Sequence, residues 1–285
     1  MHLDELDLDT RFSATVVASE RLTPPQSSDE IRELVLDVAA PAWSLEIGQS
    51  IAVIAPGAAE FGQRDHVRLY SVADLPERSE DGHPRIKLAV KRCDYIDEYS
   101  GERYPGIASN YLCDLRPGDA LTVAGPFGLA FEVPPRADAS LILIATSTGI
   151  APFRAFVRHL YEHTDFAGRV RLYYGARSGL DSVYLNDQRD DFAQYYDRET
   201  FEAFRALSPR PHWGDAIDWG ATIRARAEEL VAMLGEPQTY VYVAGLVAVR
   251  DALDDVLAEL LGSAEAWARR KAEMVAGRRW VELLY

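Results

Sequence analysis

Hydrophobic and polar positions alternate in short runs through the first half of the chain. Turn residues such as Pro41, Gly48 and Pro117 separate the runs, which are rich in β-branched side chains. The runs cover residues 12–17, 31–38, 50–54, 67–72, 86–91 and 120–124. Six short strands at this spacing predict an antiparallel β-barrel.

A different rhythm follows Pro134, because strand-like apolar runs now alternate with helical spacing. Strands are predicted at residues 140–145, 170–174 and 239–243, and helices at 151–161, 184–192, 223–234 and 248–261. Residues 201–207 fit either type of element. Strands that alternate with helices predict a parallel α/β sheet. The predicted fold class is therefore two-domain, with an antiparallel β-barrel over residues 1–136 followed by an α/β domain over residues 137–285.

Length and charge limit what such a fold can do. A chain of 285 residues, 48% of them apolar, is long enough for two domains with proper cores. The net charge of −15 argues against a nucleic-acid binder and against adhesion to an anionic membrane. No apolar run approaches the roughly 20 residues that cross a bilayer, and the acidic start lacks the pattern of a signal peptide. We therefore expect a cytoplasmic protein without membrane insertion.

The segment from Ala145 to Arg154 carries the first candidate chemistry. An apolar strand runs into a turn of small residues, and Pro152 then stands in the first helical turn, where its missing N–H costs nothing. Backbone N–H groups at such a helix start can hold a pyrophosphate. An ordinary β–α turn has the same appearance, and the G-x-G-x-x-G pattern of dinucleotide-binding folds is absent here. Gly245, after another predicted strand, has the same two interpretations.

Two segments of the first half also carry candidate chemistry. Arg68 and Tyr70 share one face of a predicted strand, while Ser71 points to the other. Arginine suits a phosphate, and tyrosine suits stacking on a planar ring, although any half-buried strand alternates in this way. Residues 106–110 predict a turn into a short helix, with Ser109 as a cap or phosphate donor.

The end of the chain is apolar and finishes on Tyr285. Chain termini are mostly polar and poorly ordered unless something ties them down. A core strand explains the apolar end, and an aromatic lid over a cofactor is the alternative.

These segments, in this order, resemble the plant-type ferredoxin–NADP(+) reductase family. The resemblance extends from Phe12 to Tyr285 and depends on the joint order of its motifs. The motifs are RLYSVA at 68–73, GIASNYLCDLRPGD at 106–119, GPFG at 125–128, TSTGIAPFR at 146–154, the YYGAR strand end, VAGL and the terminal tyrosine. The resemblance implies an FAD-binding barrel over residues 1–136 and an NADP(H)-binding α/β domain over residues 137–285.

The resemblance implies a flavin site in the barrel. Arg68 would bind the FAD pyrophosphate, Tyr70 would stack on the isoalloxazine, and Ser71 would hydrogen-bond near N5. Tyr95 would stack on the FAD adenine, which disfavours FMN because FMN has no adenine. Further groups would surround the flavin, with Lys91 near its phosphates: Leu69, Ala89, Lys91, Gly106, Ile107, Ala108 and Ser109.

The resemblance also implies a path for a nicotinamide dinucleotide. Thr148, Gly245 and Leu246 would line it, and Tyr285 would cover the isoalloxazine until the nicotinamide displaces it. In the family a Ser-Arg pair binds the 2′-phosphate of NADP(H), followed by a tyrosine that stacks on adenine. The nearest counterparts are Ser208 and Arg210, with Arg177 and Arg224 as further candidates and Trp219 or a neighbour in place of the tyrosine. An arginine here would favour NADPH over NADH.

The candidate catalytic residues are Ser71, Glu282 and Tyr285, and two positions near them depart from the family pattern. Ala244 stands where the family commonly has a cysteine beside the nicotinamide. Glu282 lies three residues before the final tyrosine, whereas the glutamate of the family lies two before it. Its role as a proton carrier or docking residue therefore stays open.

The implied function is a flavoprotein oxidoreductase that moves electrons between NADPH and a one-electron carrier, by hydride transfer to N5 of FAD. The two cysteines cannot supply the four thiolates of a [2Fe–2S] cluster. The chain would therefore need an external carrier such as ferredoxin or flavodoxin. Residues 269–279 include a basic cluster that could dock an acidic carrier or could simply be a solvated helix face: Arg269, Arg270, Lys271, Arg278 and Arg279.

Two alternatives remain from the sequence. One is the reductase component of a multicomponent oxygenase, which would feed aromatic or aryl-CoA oxygenation by a partner protein. The other is a non-catalytic flavin-binding sensor of nicotinamide redox state. Turnover of NADPH with an artificial acceptor separates the sensor from both enzymes.

Overall fold

The computed structural model describes residues 6–58, 62–128, 131–187, 189–197, 199–213 and 215–284, without the side chain of residue 213. The chain divides into two compact units. Unit 1 comprises Met1–Glu132 and Ala151–His159, and unit 2 comprises Val133–Ile150 and Leu160–Tyr285.

Unit 1 is built from antiparallel strands, one complete helix and residues 151–159 of a second helix. The elements are β1 (Arg11–Arg21), β2 (Ile31–Val38), β3 (Ser50–Pro56), β4 (Asp65–Ser71), β5 (Glu77–Arg78), β6 (Pro84–Lys91), β7 (Asp94–Ile96), β8 (Arg103–Pro105), α1 (Ile107–Asp114) and β9 (Ala120–Phe127). Seven strands form one sheet in the order β4-β3-β9-β1-β2-β6-β5. A bridge between Val72 and Leu88 joins the β4 end of the sheet to β6, which closes it into a barrel.

The barrel core follows the alternation that the sequence shows. Leu34, Leu36 and Val38 of β2 are buried in one cluster with side chains from β3, β6 and β9. Every second residue of a strand points to the same face, so Val35 and Asp37 between them face away from this cluster. Helix α1 contacts β3, β4 and β6, and its Leu112 joins the core.

Unit 2 is a parallel sheet with helices. Its elements are β10 (Ser140–Thr146), α2 (Ile150–His163, of which residues 151–159 belong to unit 1), β11 (Val170–Ala176), β12 (Phe201–Leu207), α3 (Trp219–Arg224), α4 (Ala227–Gly235), β13 (Thr239–Gly245), α5 (Ala248–Leu260), α6 (Ala264–Ala276) and β14 (Trp280–Leu284). The strand order is β12-β11-β10-β13-β14, and every neighbouring pair is parallel. β10 and β11 are buried along their full length, as expected for a sheet covered on both faces.

The predicted fold class is confirmed, with differences in single elements. The helix predicted at residues 184–192 is wrong, since the described residues of this range form turns, bends and a bridge between Leu185 and Asp190. Tyr184 has a left-handed φ of 62°. The side chains of Asn186 and Asp190 accept hydrogen bonds from nearby backbone N–H groups. Such local bonds compete with a helix.

Three further segments refine the sequence analysis. The helix predicted at residues 223–234 is two helices, α3 and α4, and residues 201–207 form β12. The polar excursion at residues 94–105 contains the hairpin β7–β8. None of the described helices has the length and apolarity needed to cross a membrane.

Candidate functional site

Strand β4 presents the predicted flavin residues on alternate faces. Arg68 is exposed, and its guanidinium donates a hydrogen bond to the Val67 carbonyl oxygen at 2.9 Å. Leu69 packs on the opposite face, against Ala52 and its neighbours. The Ser71 hydroxyl lies 3.1 Å from that of Ser50 on the adjacent strand, which limits how it can rotate.

Tyr70 connects β4 to helix α1. Its ring packs against the barrel core, as does Tyr111 of α1. Burial, together with the nearby thiols of Cys113 and Cys93, raises the pKa of the Tyr70 phenol above its ordinary value. The ring is therefore a neutral, partly exposed platform beside the start of α1.

The start of α1 offers backbone donors without a competing side chain. Gly106 is the N-cap residue, it makes no side-chain cap, and the first turn contains no acidic residue. A Cβ on Gly106 would lie 2.9 Å from both the Cys93 carbonyl oxygen and the Ser109 hydroxyl. Ser109 accepts a hydrogen bond from the Cys93 N–H at 3.2 Å. Ile107 and Ala108 stand in the first turn of the helix, where backbone N–H groups can bind an anion.

The hairpin β7–β8 carries a pair of stacked aromatic rings. The rings of Tyr95 and Tyr104 have centroids 5.7 Å apart and an interplanar angle of 27°. Tyr95 is 52% exposed, so one ring face is accessible to a planar ligand. Lys91 forms an ion pair with Asp29 at 2.5 Å, and the buried Ala89 belongs to the β6 core strand.

In unit 2 the ends of β10 and β13 meet through backbone atoms. A Cβ on Gly149 would lie 2.3 Å from the Ala244 carbonyl oxygen. Gly245 has a φ of 128°, and a Cβ there would lie 2.1 Å from Thr146 Oγ1. The same Oγ1 accepts a hydrogen bond from the Leu246 N–H at 3.0 Å. Both glycines are thus required by close approach.

This contact places the predicted dinucleotide residues at one edge of the sheet. Thr148 lies in a 3-10 turn, Ser147–Gly149, between β10 and α2. Ser147 has a left-handed φ of 50°, and the buried Tyr174 hydroxyl donates to its carbonyl oxygen at 3.0 Å. Strained turns persist where the surroundings hold them and are common at ligand sites. Tyr174 is not among the residues predicted from the sequence, because an apolar strand gives no local signal of this contact.

The predicted 2′-phosphate residues lie after β11 and β12. The Ser208 N–H donates to the Arg177 carbonyl oxygen at 3.2 Å, so these two residues are neighbours. The Ser208 hydroxyl and the Arg210 guanidinium both bond to Asp215. The Arg177 side chain is exposed and has no polar partner among the residues that the structure describes. Arg224 instead forms a two-point ion pair with Glu259 of α5, at 2.7 and 3.0 Å.

Trp219 does not fit the suggested role in adenine stacking. Its side chain is 4% exposed and belongs to the core of unit 2. A Cβ on Gly175 would lie 2.4 Å from its ring. The indole therefore fills the space above β11, and its rings are not accessible to a ligand.

Glu282 lies in a polar cluster at the C-terminal strand. Its carboxylate accepts a hydrogen bond from the Trp280 indole at 2.7 Å and forms an ion pair with Lys271 at 3.2 Å. Lys271 also pairs with Asp254 at 3.0 Å and lies 5.0 Å from the Trp280 ring centroid. These contacts favour a structural role for Glu282. Tyr285 lies outside the described residues.

The basic cluster near the C-terminus is mostly engaged within unit 2. Lys271 pairs with Asp254 and Glu282. Arg270 donates to the carbonyl oxygens of Leu234 and Glu236, and Arg279 donates to that of Thr239. Three of its five cations thus satisfy internal acceptors, which favours the interpretation as a helix face over a docking patch.

A buried ion cluster in unit 1 escaped the sequence analysis. Asp74 is 1% exposed and accepts ion pairs from Lys87 at 2.8 Å and from Arg154 and Arg158 at 2.9 Å each. Burial opposes ionisation, but Arg154 and Lys87 outweigh it and lower the pKa of Asp74 to about 2. Asp74 directly follows the RLYSVA motif, and Arg154 is the last residue of TSTGIAPFR. Their positions at the ends of two motifs were the one signal in the sequence that could have indicated this pair.

Comparison with known proteins gives relatives along nearly the full chain. The family model described as "Oxidoreductase NAD-binding domain" matches residues 143–254. A ferredoxin–NADP reductase of Synechocystis sp. is 29% identical over 276 residues, which cover 95% of this chain and 67% of that protein. That of Spirulina sp. is 28% identical and covers 93% of this chain and 92% of its own length. A chloroplastic leaf isozyme of rice is 31% identical over 82% of this chain and 66% of its own.

Solved structures share the fold. The ferredoxin–NADP+ reductase from Plasmodium falciparum, solved with 2′P-AMP, superposes with a TM-score of 0.72 at 19% identity. The superposition covers 99% of this chain and 98% of that one. The barrel and the parallel sheet described above are therefore an architecture that a known reductase also has.

Proposed function

We propose that this chain, which belongs to the plant-type ferredoxin–NADP(+) reductase family, is a flavoprotein oxidoreductase that transfers electrons between NADPH and ferredoxin. The observation that carries the proposal is similarity to ferredoxin–NADP reductases over 95% of the chain, through both units. The oxygenase component and the non-catalytic sensor are not favoured, because the relatives named above are ferredoxin–NADP reductases.

The residues of unit 1 fit an FAD molecule. Arg68 supplies an exposed cation for the pyrophosphate, and the uncapped start of α1 supplies backbone donors. Tyr70 supplies a platform for the isoalloxazine, and the accessible face of Tyr95 supplies one for the adenine. When bound, FAD accepts a hydride from NADPH and passes the electrons on singly.

The residues of unit 2 fit the NADP(H) half of the reaction. The turn at Thr148 and the close approach at Gly245 leave backbone groups accessible at the sheet edge, where open α/β folds bind ligands. Arg177, Ser208 and Arg210 gather at the neighbouring strand ends, and Arg177 supplies a cation for the 2′-phosphate.

The chain itself binds and orients, while the cofactors carry the redox chemistry. We propose that the Ser71 hydroxyl, fixed by Ser50, donates a hydrogen bond near the reacting edge of the flavin. We also propose that Tyr285 covers the flavin face until the nicotinamide arrives. A positioned donor of this kind aligns the ring with its reaction partner.

Ferredoxin is the carrier that the relatives support, and flavodoxin or an oxygenase component are narrower proposals. We also propose a cytoplasmic location. The free thiols of Cys93 and Cys113 fit that location, because disulfides are rare there. Reduction assays with purified ferredoxin and flavodoxin, and cell fractionation, test these points.

The decisive experiment is an absorption spectrum of the purified protein, followed by anaerobic titration with NADPH and NADH. We expect a flavin spectrum that NADPH bleaches and that ferredoxin restores. Protein that still binds no flavin after incubation with FAD contradicts the proposal.

Replacing Tyr95 with alanine should weaken FAD binding about tenfold or more, since stacking on one base contributes about 1–3 kcal/mol. The same variant should leave FMN binding nearly unchanged, and Tyr99→Ala, at a 98% exposed ring, is the matched control.

A further inference from the structure

The loop after β12 is organised around one residue, Asp215. Its backbone carbonyl oxygen accepts the Ser208 hydroxyl at 2.7 Å. Its carboxylate accepts the Arg210 Nε–H at 2.8 Å. Both members of the predicted Ser-Arg pair are therefore already bonded to Asp215 before any nucleotide binds.

The ion pair in this loop is uneven in its exposure. The Arg210 side chain is 65% exposed, whereas that of Asp215 is 26% exposed. A ligand from solvent can therefore reach the guanidinium, while the carboxylate behind it is mostly covered. Because the Nε–H bonds to Asp215, the guanidinium can no longer bind a phosphate through the two-point edge that includes Nε.

The charge of Asp215 matters to a 2′-phosphate more than to a 2′-hydroxyl. A phosphate group on NADPH carries between one and two negative charges and would lie beside the Asp215 carboxylate when it contacts Arg210. The 2′-hydroxyl of NADH carries no charge, so the carboxylate does not repel it. The charge of Asp215 thus weakens the binding of NADPH, which Arg210 would favour, and leaves the binding of NADH unchanged.

We propose that Asp215 is a specificity-determining residue that limits the preference for NADPH over NADH by holding Arg210 in an internal ion pair. The inference depends on the proposed function, because it assumes that the nucleotide binds at the carboxyl edge of the parallel sheet. Arg177, which lies beside Ser208, supplies the cation that remains for the 2′-phosphate.

The test is Asp215→Asn in the full-length, FAD-loaded protein. The bond from Ser208 goes to the backbone of Asp215, so the substitution leaves the loop connection in place. We expect the ratio of kcat/KM for NADPH to that for NADH to rise about five- to tenfold, as the removal of one unit charge a few Å from a phosphate predicts. Binding measured by calorimetry should show the same gain for 2′P-AMP and little change for AMP.

Two further variants make the test specific. Asp138→Asn removes the carboxylate of another exposed Arg–Asp pair, that with Arg136, before the amino end of β10, and should not change the ratio. In an Arg210→Gln background the 2′-phosphate has no contact that brings it beside residue 215, so Asp215→Asn should have no further effect. A gain that persists without Arg210 would show that Asp215 does not act through Arg210, and this would overturn the inference.

The outcomes separate this inference from the proposed function. If both nucleotides bleach the flavin but Asp215→Asn leaves the ratio and the 2′P-AMP affinity unchanged, the inference is wrong and the proposed function stands. If neither nucleotide bleaches the flavin, the proposed function fails. The comparison of 2′P-AMP with AMP still decides the role of Asp215, since it requires no turnover.

Discussion

Single residues of this protein are positioned by partners that lie far away along the chain. Asp74 is the clearest case, because its cationic partners come from β6 and from residues 154 and 158 of α2. An arginine or lysine alone would leave this buried carboxylate only partly compensated. Removing the carboxylate leaves several cations close together and partly buried, which is costly.

Asp74→Asn should lower the free energy of unfolding of the protein by about 3 kcal/mol at neutral pH, the typical cost of breaking a buried ion pair. Urea unfolding followed by circular dichroism measures the change. Asp65→Asn, which removes the exposed pair with Arg11, is the control and should cost less than about 1 kcal/mol. Equal losses in the two variants would contradict the assigned importance of Asp74.

The lowered pKa of Asp74 predicts how the stability of the protein depends on pH. Because the pKa of Asp74 is lowered from 3.8 to about 2 in the folded protein, its stabilising effect is present above the unfolded value and is lost as pH falls. The difference in stability between the wild-type protein and Asp74→Asn should therefore shrink between about pH 5 and pH 2. A difference that stays constant over this range would show that charge is not its cause.

At the level of secondary structure, the site depends on where strands end. β10 and β13 approach so closely at Gly149 and Gly245 that no side chain fits between them. This approach places the turn at Thr148 beside Leu246. Two glycines thus build a surface of backbone groups, which a dinucleotide can approach.

Gly245→Ala should destabilise the protein by at least about 2 kcal/mol and weaken NADP+ binding, because alanine would adopt a left-handed φ and its Cβ would clash with Thr146. Thermal unfolding and calorimetric titration with NADP+ measure the two effects. Gly235→Ala is the matched control, since nothing lies within 4 Å of its Cβ position. A Gly245→Ala protein with wild-type stability and affinity would refute the close-approach argument.

The position of Glu282 on β14 depends on which face of this strand packs against the helices. Trp280, Glu282 and Leu284 share the β14 face that packs against the helices. Leu283 occupies the position two residues before the end, where the family has its glutamate. Because successive residues of a strand point to opposite faces, Glu282 lies on the face opposite to that of position 283.

Glu282→Gln should lower stability by about 1 kcal/mol, because the charge that pairs with Lys271 is lost. The pH profile of flavin reduction by NADPH should keep its shape, since the carboxylate is engaged within unit 2. Glu273→Gln, which removes an exposed pair with Arg270, is the control. Loss of one limb of the pH profile in Glu282→Gln alone would instead support the proton-carrier role.

At the scale of the whole molecule, the net charge affects how the protein associates with its electron carrier. A net charge of −15 opposes association with an acidic carrier unless cations gather at the docking surface. Arg270, Lys271 and Arg279 of the basic cluster already satisfy internal acceptors. Arg269 and Arg278 remain as exposed members.

Reversing Arg269 and Arg278 to glutamate should slow ferredoxin reduction by less than about threefold and should leave its dependence on salt nearly unchanged, because the cluster is interpreted as a helix face and not as a docking patch. Charges at a docking surface would change both the association rate and its dependence on salt. Stopped-flow reduction of ferredoxin across a range of salt concentrations measures this. A large loss at low salt that disappears at high salt would show that the cluster is a docking patch after all.

The patterning of the chain was enough to predict both folds and most of their strands, since the alternation of buried and exposed positions is local information. It failed at residues 184–192, where Asn186 and Asp190 bond to nearby backbone and replace the helix. The ordered motifs also identified the family. They placed Arg68, Tyr70 and Ser109 on elements that the structure contains, and their roles stay proposals.

Side-chain partners could not be predicted in the same way. The pairing of Asp215 with Arg210, of Glu282 with Lys271 and of Asp74 with its cations depends on which remote segments face each other, and no local pattern encodes that. Residue type and spacing therefore determined the fold class, the family and the candidate residues. The folded arrangement decided which of those residues are accessible to a ligand and which are bound to their own neighbours, because burial and ion pairing exist only after the segments have packed.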